Sequence, residues 1–217
     1  MRATDILRDQ AHEDWNAATR HAFTDALAEG TLPKKKIIGY LQQDYLFVEE
    51  FVRLLASAVA HAPTLADAIP AAQFLGLICG PENTYFLRSF EALGANPHAP
   101  AAPETEEFQK LMRAARLSGR YEMMLSVLVV AEWSYLEWAR VHEDRAEALP
   151  FWFGEWITLH CGAGFEGVVA YLRSQLDQAW DGLTEAACDE VRESFVAAVA
   201  CERAFFDASW EGFEVAG

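Results

Sequence analysis

Three stretches of this chain put polar side chains where helical spacing calls for apolar ones. Tyr40, Asp44, Phe47 and Phe51 recur at intervals of three and four, so they share one helix face with a carboxylate inside an aromatic stripe. Val191, Phe195, Ala198, Glu202, Phe205 and Ser209 form a second such face around Glu202. Leu128, Ala131, Tyr135, Trp138 and His142 form a third, with Glu132 about 100° further round the same helix. A buried carboxylate either pairs with an Arg, Trp or Tyr donor for structure alone or meets a ligand. Burial raises the pKa of a Glu, which suits a general acid or base near neutral pH. Two inward-facing acids on different helices favour a shared polar pocket. Tyr135 is either an ordinary core residue or a platform that stacks on a planar ligand and bonds it through its hydroxyl. Glu132 is either a buried partner in that pocket or part of an exposed rim, and spacing leaves both open.

Other chemistry has weaker support. The six histidines make no HxxxH or ExxH pair, and no set of His and carboxylates has metal-ligand spacing. No metal and no cofactor are expected. His160 and Cys161 are adjacent, but adjacent helical residues point apart, so a nucleophile pair there is disfavoured against passive burial of Cys161. Gly162 and Gly164 follow no strand and precede no Gly-Lys-Ser/Thr, so they are not a phosphate loop.

The elements that must position these residues are helices. Val and Ile fall in helix-period stretches, and no Asn-Gly or Asp-Gly hairpin signal occurs. Seven helical segments are predicted. They cover about Thr4–Glu29, Pro33–His61, Leu65–Leu93 with breaks or kinks at Pro70 and Gly80-Pro81, Glu104–Leu117, Arg120–His142, Pro150–Leu176 interrupted at Gly162 and Gly164, and a last helix capped by Asp181 or Thr184 that runs to about Trp210. Residues 94–103, with Pro97, Pro100 and Pro103, are the clearest loop. Neither side of that loop alone closes a set of helices, so one domain over 1–217 is expected, an all-α bundle.

Composition narrows the partners. The formal charge of −16 repels phosphate backbones and anionic membrane surfaces, so nucleic acid and membrane are disfavoured. The longest apolar run, Met123–Ala131, is too short to span a bilayer. Met1–Leu7 is too short and too charged for a signal core, and the four cysteines contain no CxxC. Free thiols in a reducing cytoplasm is the expected setting.

The chain resembles the TenA family. The resemblance is carried by Trp15, His21-Ala22-Phe23, Gly30-Thr31-Leu32 and Tyr40-Leu41-Gln42-Gln43-Asp44-Tyr45. It continues at Trp133-Ser134-Tyr135, at Trp156, His160 and Phe165, and at Glu202-Arg203-Ala204-Phe205-Phe206-Asp207. These run in order along nearly the whole chain; the Gln-Asp-Tyr and terminal Glu-x-x-Phe-Phe elements are specific together. The resemblance implies a seven-helix fold like that of haem oxygenase, a homodimer or homotetramer, and hydrolysis of thiamin or of aminomethyl-pyrimidine breakdown products. It implies that Asp44 binds the pyrimidine ring nitrogen and exocyclic amine, that Tyr135 lies by the ring or the reacting carbon, and that Glu202 is the acid/base for the leaving amine. Phe47, His160 and Phe108 fall where many members have Tyr and, with Phe205, wall the pocket. Ala131 stands where one large branch has a nucleophilic Cys, four residues before Tyr135. This chain therefore resembles the branch without that Cys, which is associated with amino- and formylamino-pyrimidines and with a water activated by Glu202, helped by Glu132. A pyrimidine-binding or regulatory protein without turnover is the leading alternative, and a metal- or haem-dependent oxidase of the same fold a lesser one.

Overall fold

Helix breaks follow the caps and prolines of the sequence. A computed structural model describes residues 2–213, so the outermost ends of the expected 1–217 domain lie outside the described residues. The first expected helix is three, α1 (Ala3–Gln10), α2 (His12–Thr19) and α3 (Ala22–Ala28). The second break is stabilised by His21, whose Nδ1 accepts from the Phe23 amide at 3.0 Å while its Nε2 meets Asp207 at 3.1 Å. Such a side-chain cap satisfies an amide that the new helix start would leave unpaired. Periodicity reads straight through it, because apolar residues keep their spacing across the short breaks.

α4 (Lys34–His61) opens after Pro33 and is the longest helix of the first half. α5 (Leu65–Leu77) is capped by Thr64, whose hydroxyl accepts from the Asp67 amide at 3.2 Å, and it continues through Pro70. The break expected near Gly80-Pro81 takes a definite form, a π-helical turn over Ile78–Glu82 that leads into α6 (Asn83–Leu93). Pro81 has no amide to offer the Leu77 carbonyl and its ring would crowd it, so the helix widens there.

α7 (Pro103–Leu117) begins with Pro at its first position, where no amide is needed. The loop before it is pinned by Gln43 of α4. Its Nε2 donates to the Pro100 carbonyl at 2.9 Å, and its Oε1 accepts from the Ala102 amide at 2.8 Å and the Thr105 hydroxyl at 2.7 Å.

α8 (Tyr121–Ala139) is the centre of the bundle. Every residue from Met124 to Leu136 is buried, and the helix packs on α2, α4, α7, α10 and α11. A helix apolar all round can only be stable inside, and each large aliphatic side chain so buried contributes about 1.5 to 3 kcal/mol. A 3-10 stretch, Arg140–Ala148, then leads to α9 (Phe151–Leu159), α10 (Gly162–Trp180) and α11 (Glu185–Glu211), the last capped by Thr184. Gly154 allows α9 to press on the 3-10 stretch, since a Cβ there would lie 2.2 Å from the Ala146 carbonyl oxygen. Gly162, at φ 77°, makes the sharp turn between α9 and α10. The outcome is the all-α architecture expected, with more and shorter segments than the seven foreseen. No helix among the described residues is long and apolar enough to cross a membrane.

Candidate active site

Three helices and the π-turn meet around one small internal cavity. α4 contributes Asp44, Phe47, Val48 and Phe51; the π-turn contributes Ile78 and Glu82. α8 contributes Ala131, Glu132 and Tyr135, while Trp156 and His160 come from α9 and its C-terminal cap. The free space is about 30 Å³, room for a few water molecules at most. Of the residues singled out in sequence, Asp44, Phe47, Ala131, Tyr135 and His160 line the cavity. Glu132 lines it too, which places that residue inward rather than on a rim. Phe108 stands behind the wall, edge-on to Phe47 with ring centroids 4.8 Å apart. Phe205 packs on Tyr40 at 5.8 Å. Glu202 is 2% exposed and is not among the residues lining the cavity, but its charge acts on Glu132 and Tyr135, and that of Asp44 acts on it.

Two tyrosines and a tryptophan form a hydrogen-bonded relay. Trp156 Nε1–H donates to the Tyr40 hydroxyl at 3.0 Å, and the Tyr40 and Tyr135 hydroxyls are 2.7 Å apart. With Tyr40 donating onward, the Tyr135 proton is free for a ligand in the cavity. Burial holds both phenols above their ordinary range, so both stay protonated. His160 Nδ1 lies 2.8 Å from the Trp156 carbonyl, an acceptor, so this nitrogen carries the proton and Nε2 keeps its lone pair. Burial pushes His160 down to about 4, which leaves it neutral. Its ring also packs against Tyr135 at 4.9 Å and Trp156 at 4.3 Å.

The acids define the site's chemistry. Asp44, Glu82, Glu132 and Glu202 all have carboxyls raised by burial, Glu82 to about 8 and the other three well above the usual range. The charges of neighbouring acids raise Asp44, Glu132 and Glu202 further. Among the described residues none of the four side chains accepts a hydrogen bond or meets a cation. Asp44 Oδ2 and Glu202 Oε1 are fully buried with no partner at all. Unpaired buried carboxyls are costly, so such a group is stable only when protonated or when a ligand supplies the donors. The cluster is therefore built to accept a ligand rich in N–H donors and positive charge. Among the described residues the structural pairing of Asp44 with a buried Arg, Trp or Tyr, left open by its spacing, does not occur. No three His, Cys, Asp or Glu side chains among the described residues are arranged to hold a metal ion.

Glu82 and Trp156 are the members that single-helix patterns did not mark for this site, whereas Tyr40 shares the Asp44 face. Glu82 follows a Gly-Pro pair, and its inward direction comes from the widened turn. Gly80-Pro81 was the only signal, and it reads as a kink. Cys161 faces a neighbouring apolar cleft instead of this cavity, and burial pushes its thiol up to about 11, against a nucleophilic role.

The model of the TENA/THI-4/PQQC family matches residues 8–212. The chain is 24% identical to an aminopyrimidine aminohydrolase from Halalkalibacterium halodurans, covering 94% of this chain and 93% of that one. It is 22% identical to an aminopyrimidine aminohydrolase from Helicobacter pylori, covering 97% of this chain and 100% of that one. The fold superposes on a solved TenA homologue from P. horikoshii OT3 with a TM-score of 0.84 at 22% identity, covering 98% of this chain and all of that one at 100%.

Proposed function

Because the chain belongs to the TENA/THI-4/PQQC family, we propose that its cavity hydrolyses aminomethyl- or formylaminomethyl-pyrimidines, breakdown products of thiamin, without covalent attack by a cysteine. The observation that carries this reading is the set of buried acids with no partner of their own around an aromatic cavity. An aminopyrimidine offers what they lack. Asp44 takes the ring nitrogen and exocyclic amine in a charge-assisted pair, which supplies both affinity and orientation. Phe47 and Tyr135 wall the ring, and the Tyr135 hydroxyl is free to donate toward the reacting carbon.

The acids divide the hydrolysis between them. Water's oxygen bonds to the methylene carbon, the methylene C–N bond breaks, and the electron pair leaves with nitrogen. Glu202, supported by Glu132, takes the proton from water and delivers it to the departing amine. A cationic ligand stabilises the ionised forms, so binding converts protonated acids into the bases the step needs. Ala131 has no nucleophilic atom, which is why the attack is assigned to water. The free space, about 30 Å³, is smaller than a pyrimidine, so the ring's entry requires the wall side chains to move apart.

The test is product detection by mass spectrometry after incubation with thiamin, 4-amino-5-aminomethyl-2-methylpyrimidine or its N-formyl derivative. The protein releases hydroxymethyl-pyrimidine from at least one of them, and Glu202→Gln lowers the rate at least a hundredfold. Binding of all three with no product would leave a pyrimidine-binding protein in place of a hydrolase. Full activity of Glu202→Gln would remove that residue from the mechanism.

A further inference from the structure

Behind Glu82 lies a second space that the reaction described above does not use. It is an apolar cleft of about 270 Å³ between the end of α5, the π-turn and the start of α10. Phe74 and Phe165 form its floor, with ring centroids 6.3 Å apart in an edge-to-face arrangement, and both are buried. Leu77, Leu159 and Val168 line its sides, and Leu77 is exposed at the mouth. Among the described residues, the one common to this cleft and the acidic cavity is Glu82. A carboxylate with no partner therefore stands at the junction of an acidic cavity and an aromatic cleft.

We propose that the cleft is a leaving-group subsite, and that the protein cleaves aminomethyl-pyrimidines whose amine nitrogen carries an apolar substituent of about phenyl size. The proposal rests on the hydrolase reading above. Glu82 pairs with the protonated nitrogen at the junction, the pyrimidine lies on the Asp44 side and the substituent lies on the Phe74–Phe165 side. An apolar cavity of about 150 Å³ holds a benzene ring, so the cleft has room for one. Water's oxygen bonds to the methylene carbon, the C–N bond breaks, and the already protonated nitrogen departs with the electron pair as the neutral substituted amine, while the proton lost by water stays on Glu202.

The groove on the other face of the π-turn is the competing location. It shares Val48 and Ile78 with the cavity, but it is lined by Glu49, Arg53 and Asn83. Tyr45, Val48, Val52 and Ile78 give it apolar wall as well, but among the described residues no carboxylate joins it to the cavity to hold the amine nitrogen.

Gly164 provides the test, because a Cβ built there meets nothing within 4 Å and its side of α10 lines the cleft. Gly164→Phe and Val168→Trp each fill the cleft from a different helical turn, and Val52→Trp fills the competing groove. The quantity read is the ratio of kcat/KM for the N-benzyl amine to that for the unsubstituted amine. Circular dichroism melts confirm that each variant is folded. Both cleft variants lower the ratio at least tenfold, and Val52→Trp leaves it within twofold. If the parent cleaves the unsubstituted amine and neither cleft variant shifts the ratio, the subsite is wrong while the hydrolase reading stands. A fall only in Val52→Trp would place the substituent in the groove and overturn the assignment. If the parent cleaves neither amine, the hydrolase reading itself fails and the subsite falls with it.

Discussion

Replacing Glu82 by Gln should make this protein more stable, and more so the higher the pH. Burial raises the Glu82 carboxyl from 4.5 to about 8, with no donor or cation among the described residues to compensate. Between those values the folded protein holds a proton that the unfolded chain has released. Folding then takes up a proton, so stability is fully present below about 4.5 and is lost as pH rises toward about 8. Each pH unit in that window costs about 1.4 kcal/mol, which amounts to about 3 kcal/mol by pH 7. Glu82 is only partly shielded from solvent, which trims the figure to about 2 to 3 kcal/mol. At pH 5 the same reasoning leaves less than about 1 kcal/mol. Gln is nearly the same shape and needs no proton. For a chain of this size each kcal/mol moves Tm by about 2 to 4 °C. The Tm advantage of Glu82→Gln over the parent should therefore widen by roughly 4 to 8 °C between pH 5 and pH 7. Asp44 and Glu132 feel the Glu82 charge, so its removal also relieves them and adds in the same direction, while Glu202 titrates in both proteins. Paired thermal melts across that range read it directly. A difference that stays constant with pH, or shrinks as pH rises, would refute the claim that Glu82 is a strained, unpaired acid. The gain in stability should come with a loss in hydrolysis, as expected where a site keeps an unfavourable group for its chemistry.

Asp44→Asn should weaken binding of 4-amino-5-aminomethyl-2-methylpyrimidine by about 1.5 to 3 kcal/mol, read by calorimetry; unchanged affinity would move the ring away from Asp44. Gln43→Ala leaves the Ala102 amide and the Thr105 hydroxyl without their acceptor, so urea unfolding should show a loss of about 2 to 3 kcal/mol, and a loss under about 0.5 would mean the loop is held by other contacts. Gly154→Ala would drive a methyl against the Ala146 carbonyl, a backbone atom, and should cost at least about 2 kcal/mol in the same assay. A fully stable Gly154→Ala would show that α9 and the 3-10 stretch can separate freely.

The residues that announced themselves in sequence did so because α4 and α11 each have one buried face. On such a helix, spacings of three and four tie Asp44 to Tyr40 and Phe47, and Glu202 to Phe195 and Phe205, whatever the rest of the chain does. The same periodicity, with the prolines and the lack of hairpin signals, determined the all-α class and the place of the main loop. Helical spacing and the family motifs together pointed to Tyr135, and the resemblance marked Ala131 as the position where one branch has a Cys. α8 lies beyond such reasoning, since it is buried on every side and so has no polar face against which Glu132 could be judged. Only packing shows that Glu132 faces the cavity. Tertiary structure alone also decided the Trp156–Tyr40–Tyr135 relay, whose members are 116 and 95 residues apart. It decided that Glu82 turns inward as well. Periodicity assumes 3.6 residues per turn, and Pro81 changes that count at the one place where the fourth acid enters the site.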